Sequence, residues 1–367
     1  MTHRSNAFPA ALVSTQLKYL QRAKRKLSTY YVSRCLIPPR AYEQSSSEAT
    51  AKLKPKPSGR VLDLTCGLGV DTAHFAQTAK EIVSLEPDIN LHRVTRYNLD
   101  RLGLQHVDLR AQSAEEFVAR YNGPPFDLIY VDPSRRGDRN ERLHDLADGQ
   151  PNVVGMMPDL QRLGRQLLIK AAPGYDIQAG IRALPGVEKV SVVSARNECK
   201  ELWFWVNLQA REILPPVMEV IASRLEGVHQ RTLPPVETDW EVALPTLEAG
   251  HFILEPDVSY YKAQRLDSWL DDTTRGQHPL GFLWRKAAPR HFPGRVFKVR
   301  DVWPYQPKIL KRKLREHGIG RANMTRRAFP LTVQAVRQRL RLADGGDTYL
   351  LLTTWNGKKV VIWAMPE

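Results

Sequence analysis

The stretch 59–71, GRVLDLTCGLGVD, constrains the chain more than any other. Val61, Leu62 and Leu64 make a short apolar run, Cys66-Gly67-Leu68-Gly69 closes it, and an amphipathic segment from Asp71 to Ala76 follows. An apolar run that ends in a glycine turn and leads into a helical period predicts a buried strand, a tight turn and a helix start. Gly67 and Gly69 lack a Cβ, so the backbone there can take positive φ and let a ligand approach closely. The first N–H groups of the helix then face whatever lies in the turn. A dinucleotide fingerprint fits poorly, because a G-x-G-x-x-G frame begun at Gly67 puts Thr72 where the third glycine belongs.

Length and composition bound the rest. The chain has 367 residues, 42% of them hydrophobic, enough for two or three folded domains. No uncharged apolar run approaches the roughly 18 residues of a membrane helix, and the N-terminus lacks the apolar core of a signal peptide. A soluble cytoplasmic protein with no membrane partner is therefore expected. Cys35, Cys66 and Cys199 are scattered, with no C-x-x-C pair, so neither a disulfide framework nor a metal site is expected. The 54 Lys and Arg against 39 Asp and Glu leave a net charge of +15. Such an excess favours a polyanionic partner through counterion release, with nucleic acid the first candidate.

The charge is uneven. Residues 1–42 contain no Asp or Glu, yet carry Arg4, Lys18, Arg22, Lys24, Arg25, Lys26, Arg34 and Arg40. Leu12, Leu17, Leu20 and Leu27 recur there at roughly helical spacing, which predicts a basic amphipathic helix. Such a helix either lies along a phosphate backbone or presents a solvated face. A second basic cluster, from Lys308 through Lys311, Arg312, Lys313 and Arg315 to Arg327, lies near the end of the chain.

Between 59 and 208 strands and helices alternate, the pattern of a parallel sheet with helices on both faces. Strands are predicted at 81–85, 107–110, 126–131 and 166–169, with 187–193 and 202–208 as a closing antiparallel pair. Glu86 ends the second strand, where a carboxylate can accept hydrogen bonds from both ribose hydroxyls of a nucleoside. The fourth strand runs into Asp132-Pro133-Ser134-Arg135-Arg136, and the fifth carries Lys170 before Ala171-Ala172-Pro173-Gly174. Pro215-Pro216 and Pro234-Pro235 bracket a weakly patterned segment that reads as a domain boundary. Beyond it, strands at 252–256, 282–284 and 295–299 suggest a small α+β module. A helix over 333–342 and two strands, 349–355 and 359–363, joined by Asn356-Gly357 complete the chain.

DLTCGLGVD resembles motif I of class I S-adenosylmethionine methyltransferases, D-x-G-x-G-x-G, with Thr65 in place of the first glycine. Asp132-Pro133 at a strand end resembles motif IV of nucleic-acid methyltransferases, D/N-P-P-aromatic, with Ser134 and Arg135 in the last two places. With EQSSSE, KAAPGYD, NECKEL, FPGRVFKV and RAFPLTV, these pieces make nearly the whole chain resemble bacterial class I methyltransferases that end in a THUMP-like domain. The resemblance implies an α/β fold with a Rossmann-like methyltransferase sheet at 59–208, preceded by a basic helical segment at 1–58. A linker at 209–240, a ferredoxin-like α+β module at 241–307 and the THUMP-like domain at 308–367 would follow. It implies S-adenosyl-L-methionine as cofactor, with Asp63, Thr65, Gly67 and Gly69 at the methionine end and Glu86 on the ribose. Ser113 stands where such enzymes commonly place an aspartate for the adenine amine. True THUMP domains present RNA to a catalytic domain, so RNA is the expected partner. Arg135, Arg136, Lys311, Arg312, Lys313 and Arg315 are its expected contacts, an arginine plane replacing the aromatic base platform.

Methyl transfer asks the protein mainly to align a nucleophile, so three acceptors can be compared. For an exocyclic base amine, the Asp132 carboxylate and the Pro133 carbonyl would accept its N–H bonds. For carbon-5 of a pyrimidine a thiolate must first add to the ring, and Lys170-Ala171-Ala172-Pro173 offers none. For a ribose 2′-hydroxyl, the enzymes of that class place an Asp after strand four, a Lys after strand five and a Glu opening the last strand. Asp132, Lys170 and Glu201 fill those places, with Lys52 or Lys54 within reach of the fourth, an upstream lysine. A lysine among carboxylates is expected to have its pKa held where it assists deprotonation of the hydroxyl. The structural alternative is an ion pair between Lys170 and Glu201. The chain is thus expected to methylate RNA at an exocyclic amine or a 2′-hydroxyl. A DNA or protein methyltransferase, or a non-catalytic RNA-binding protein on the same scaffold, are the alternatives.

Overall fold

The computed structural model describes residues 9–135, 146–225, 227–234, 244–276, 278 and 280–367. They divide into two compact units, Met1–Val193 with Lys200–Pro216, and Ser194–Cys199 with Val217–Glu367.

The first unit opens with helices α1 (Ala10–Lys26), α2 (Ser28–Val32), α3 (Pro39–Gln44) and α4 (Glu48–Ala51). The basic α1 is not a free arm. Ala23, Leu27, Tyr30, Cys35 and Ile37 form an apolar cluster with Leu68 and Val70 beside the glycine turn. The Tyr30 hydroxyl donates to the Leu68 carbonyl at 3.1 Å. Part of the basic face is also neutralised locally, by an Arg22–Glu43 ion pair at 2.9 Å. Leu12 and Leu17 remain exposed.

The strands then follow in chain order: β1 (Arg60–Asp63), β2 (Glu81–Leu85), β3 (Asp108–Arg110) and β4 (Phe126–Val131). A two-residue ribbon, β5 (Ser134–Arg135) and β6 (Gly149–Gln150), precedes β7 (Gly164–Ala171), β8 (Val187–Ala195) and β9 (Glu198–Asn207). Between them lie α5 (Val70–Phe75), α6 (Ile89–Arg101), α7 (Ala114–Arg120), α8 (Met157–Leu163) and α9 (Ile177–Ala183). The spatial order is β8-β9-β7-β4-β1-β2-β3. All pairs from β7 to β3 are parallel, and β9 reverses against β7. Because β1 has β2 on one side and β4 on the other, the strand order reverses at β1. Open α/β sheets bind ligands outside the strand ends at that point. The ends of β1, β2 and β4 carry Asp63, Glu86 and Asp132.

The second unit contains a hairpin, β10 (Val217–Arg224) with β11 (Gly227–Leu233), paired antiparallel from Met218–Leu233 to Arg224–Gly227. This is the stretch that reads as a boundary in the sequence. The burial of β11 explains the difference: among its residues only Leu233 is buried, so no apolar alternation marks it as a strand. The remaining elements are β12 (Phe252–Pro256), α10 (Val258–Ala263), β13 (Thr274–Gly276), β14 (Leu283–Arg285) and β15 (Gly294–Pro304). They continue with α11 (Pro307–Glu316), β16 (Asn323–Arg326), α12 (Val333–Leu340), β17 (Tyr349–Trp355) and β18 (Lys358–Pro366). Seven strands form one mostly antiparallel sheet, β13-β14-β12-β15-β18-β17-β16. The long β15 pairs with β12 on one edge and β18 on the other, so strands from 241–307 and 308–367 share a sheet.

That sheet is strongly curled. Three strands separate β12 from β16, which at about 4.8 Å per neighbour would hold them roughly 19 Å apart if flat. Yet Thr325 Oγ1 of β16 lies 3.3 Å from Glu255 Oε1 of β12. Ile253, Phe297, Leu351 and Ile362 pack together on the concave face. Leu350, Leu352 and Val361 point the other way and meet Leu310 and Leu314 of α11 and Val336 of α12. Alternation along each strand supplies both layers.

Candidate active site

The glycine turn is built around one buried carboxylate. Asp63, fully buried, accepts the Thr65 N–H at 2.9 Å and the Thr72 hydroxyl at 2.5 Å. Burial pushes its carboxyl up to about 7, against those hydrogen bonds. Asp63 therefore holds the turn from beneath rather than facing into it. Gly67 and Gly69 have φ of 55° and 82°, which only glycine adopts freely. A Cβ on Gly69 would press on the Thr95 methyl at 3.0 Å, whereas one on Gly67 would meet nothing nearer than the Thr65 carbonyl at 4.0 Å. Gly69 is thus required for close packing on α6, and Gly67 borders open space.

Glu86 stands beside that space. Its carboxylate accepts the Gly67 N–H at 3.0 Å and the Asp88 N–H at 2.9 Å, one on each oxygen. A carboxylate has about four acceptor sites, so two remain for hydroxyl donors. Burial raises its pKa. Ser113 caps α7: its hydroxyl accepts the Glu116 N–H at 3.2 Å, and Glu116 reaches back to the Ser113 N–H. The open glycine, the carboxylate at the end of β2 and the acceptors around them fit S-adenosylmethionine, whose ammonium and ribose hydroxyls are all donors.

A second, larger group of charges lies where β4, β7 and β9 converge. Lys54, with no exposed side-chain surface, pairs with Glu201 Oε2 at 2.8 Å and with Asp71 Oδ1 at 3.0 Å. Asp71 Oδ2 accepts from Ser46 Oγ and from the Tyr130 hydroxyl, each at 2.7 Å. Ser46 Oγ in turn accepts from Lys170 Nζ at 2.9 Å, and Lys170 pairs with Asp132 Oδ2 at 2.5 Å. Trp203 Nε1 donates to Glu201 at 2.7 Å. Asp132 N–H donates to Thr65 Oγ1 at 2.8 Å, which ties this group to the glycine turn. The two lysines face three carboxylates, so one negative charge is in excess.

Exposure rises along this chain of contacts. The Lys54 side chain is 0% exposed, Lys170 12% and Asp132 31%. Burial raises the Asp132 carboxyl above its ordinary range, although Lys170 opposes the shift. Lys170 itself is penalised by burial, but Asp132, Glu201 and Asp71 outweigh that and raise its pKa. For Asp71 and Glu201 burial again opposes ionisation, and Lys54 with Lys170 outweighs it, holding both below the usual carboxylate range. The most accessible member of the group is thus the one best suited to take up a proton.

Two expectations need correction. Lys170 is not held where it could take the hydroxyl proton itself; the carboxylates around it raise its pKa and keep it a cation. Nor does it form the alternative, an ion pair with Glu201, whose direct partner is Lys54. Of the two candidate upstream lysines, Lys54 enters the group. Ser46, Asp71 and Tyr130 were not singled out for this chemistry. Ser46 belongs to EQSSSE and Asp71 ends DLTCGLGVD, so both were visible as motif members without a role. Pro133 follows Asp132 directly and is half-buried. Arg136 and the Arg135 side chain lie outside the described residues. Lys311, Arg312, Lys313 and Arg315 lie in the second unit on α11, where Leu310 and Leu314 are buried and Arg312 and Arg315 exposed. Among the described residues no group of His, Cys, Asp or Glu has the arrangement of a metal site, and no helix is long and apolar enough to cross a membrane.

Comparison with known proteins gives a consistent picture. Residues 294–366 match the THUMP domain-like family. An uncharacterised S-adenosylmethionine-dependent methyltransferase of Mycobacterium tuberculosis is 26% identical over 332 residues, covering 88% of this chain and 85% of that protein. A crystal structure from Porphyromonas gingivalis W83, assigned as a methyltransferase, superposes with a TM-score of 0.86 at 28% identity. It covers 99% of this chain and 92% of its own. The 23S rRNA (uracil(1939)-C(5))-methyltransferase RlmD of Yersinia enterocolitica is 30% identical over 144 residues, 39% of this chain and 32% of that enzyme.

Proposed function

We propose that this chain, an S-adenosylmethionine-dependent methyltransferase with a C-terminal THUMP-like domain, methylates RNA at a ribose 2′-hydroxyl. The THUMP-like match, the partial similarity to an rRNA methyltransferase and the net charge of +15 support RNA as substrate. The observation that carries the 2′-hydroxyl is the meeting of Lys54, Asp132, Lys170 and Glu201 in one connected group.

S-adenosylmethionine supplies an electrophilic methyl group when bound. Around it, Thr65, Gly67 and Glu86 would hold the cofactor, with Asp63 bracing the turn and Ser113 on its rim. Asp132 Oδ2 is taken by Lys170, and Oδ1 has no hydrogen bond among the described residues, so Oδ1 is the atom offered to an incoming hydroxyl. Its raised pKa suits it to accept that proton. Lys170, kept protonated, orients Asp132 and holds charge opposite it. Lys54, Asp71, Glu201 and Ser46, all buried, position Lys170.

A second reading, methylation of an exocyclic amine, is favoured by Asp132-Pro133 at an accessible strand end. Carbon-5 of a pyrimidine, the target in the rRNA enzyme's name, finds no thiol after β7 here. The test is to incubate the protein with methyl-labelled cofactor and, in parallel, total RNA, genomic DNA and protein. Label in RNA recovered as alkali-stable dinucleotides supports the 2′-hydroxyl, because alkali cannot cleave next to a 2′-O-methyl group. Label in base-modified mononucleotides supports the amine, and label only in DNA or protein overturns the RNA reading. RNA bound without label transfer, alike in wild type and Asp132→Asn, would make the protein a binding scaffold.

A further inference from the structure

FPGRVFKV and RAFPLTV have no part in the methyl-transfer group, yet they converge in the second unit. Arg295 of the first and Arg327 of the second both reach Glu255, which is 1% exposed at the end of β12. Arg295 Nε donates to Glu255 Oε2 at 2.7 Å, and its Nη2 contacts the same oxygen. Arg327 Nε donates to Oε1 at 2.9 Å, joined there by the Thr325 hydroxyl at 3.3 Å. The Arg327 guanidinium lies 3.7 Å over the Tyr261 ring, and the Tyr261 hydroxyl donates to the Gly281 carbonyl at 3.1 Å.

One guanidinium would neutralise Glu255. Two leave a surplus positive charge at the rim of the curled sheet, with Arg295 41% and Arg327 25% exposed. Arg295 spends one edge on Glu255, and its Nη1 has no hydrogen bond among the described residues. Each arginine sits beside a constrained position. A side chain on Gly294 would collide with the Glu255 carbonyl, so Arg295 follows an obligatory glycine. Ala328, next to Arg327, has φ of 48°, a conformation costly for any residue with a Cβ. Internal neutralisation alone needs neither the second arginine nor the strain.

We infer that Arg295 and Arg327, fixed by Glu255, form a clamp for a backbone phosphate of the RNA substrate. Guanidinium forks match phosphate oxygens bidentately, and a buried carboxylate behind them removes the entropy of ordering two long side chains. The clamp rests on the RNA reading above and adds a site to it.

The test compares wild type with Arg295→Gln, which leaves Glu255 its bonds from Arg327 and Thr325. Arg182→Gln, on the exposed side of α9, controls for loss of one charge. The probe is fluorescently labelled single-stranded RNA drawn from fragmented ribosomal RNA, titrated from low to high salt. Thermal unfolding and S-adenosylmethionine binding establish that each variant is folded. Arg295→Gln is expected to bind RNA about tenfold more weakly at low salt and to flatten the logarithmic salt slope by about 0.7, one phosphate contact. Arg295→Lys, safer for folding, should keep the slope and lose only the fork, about threefold in affinity. If wild type binds and methylates RNA while both Arg295 variants match it and the control, the clamp is refuted and the RNA reading stands. If wild type binds no RNA, both fall.

Discussion

At the scale of single residues, the decisive feature is that the accessible Asp132 and its buried neighbours Asp71 and Glu201 are shifted in opposite directions. Asp132, raised by burial, should give kcat/KM an ascending limb at a pH above the ordinary carboxylate range of about 4. Asp132→Asn should abolish methyl transfer at every pH while leaving RNA affinity within about twofold. A wild-type profile whose ascending limb lies at or below the ordinary carboxylate range would contradict the proton-accepting role. Glu86→Ala should weaken cofactor binding by about 1–3 kcal/mol, the loss of charge-assisted hydrogen bonds. Calorimetry with an unchanged affinity in a folded variant would remove Glu86 from the pocket. Asp71 and Glu201 carry the opposite sign. Their folded pKa values lie below the usual range, so the unfolded chain takes up protons first as the pH drops. Their contribution to stability is complete above about pH 4.5 and is lost as the pH falls through the depressed values. Chemical denaturation from pH 6 to 3 should show a shallower acid decline in Asp71→Asn than in wild type. Asp71→Asn should itself cost about 3–5 kcal/mol at neutral pH, since it strips Lys54 of one partner.

At the scale of elements, α11 separates two uses of a basic helix. Leu310 and Leu314, four apart, bury one face, and the lysines and arginines occupy the rest. Neutralising Lys311, Arg312, Lys313 and Arg315 together should weaken RNA binding and flatten its salt slope by up to about 2.8, four contacts at 0.7 each. S-adenosylmethionine affinity should not change. An unchanged salt slope would make α11 a packing element instead. Elements of this kind were legible in the sequence because periodicity reports them. The strands at 81–85, 126–131, 252–256 and 349–355 fall where their apolar runs predicted. The β10–β11 hairpin was not legible, because a strand exposed along most of its length carries no such period. The candidate site was legible in part. Asp132, Lys170 and Glu201 could be found because each borders an apolar run that predicts a strand, although β9 itself begins at Glu198, ahead of Glu201. Ser46 lies in the link between α3 and α4 and Lys54 in the irregular stretch between α4 and β1, and nothing local says which distant charge they will meet. How Lys170 titrates was not legible for the same reason: it depends on counting neighbours that only the fold assembles.

At the scale of the whole molecule, the active group is stitched from segments remote along the chain. Lys54 and Glu201 are 147 positions apart, and Ser46 and Lys170 are 124. Joining such distant points costs chain entropy that grows slowly with separation, and contacts of long span slow the search for the native topology. The group also packs no helix and pairs no strand by itself, so the scaffold gains little from it until the sheet is in place. After dilution from denaturant, the far-ultraviolet helix signal should therefore recover ahead of methyl-transfer activity. Recovery of both in a single shared phase would show that the charges find each other as early as the backbone does. The same span bears on synthesis. A chain growing from its N-terminus has made its glycine turn and Asp132 well before Glu201 exists to receive Lys54. Until then Lys54 has only part of its compensation, and the enzyme that emerges is silent until its first unit is nearly complete.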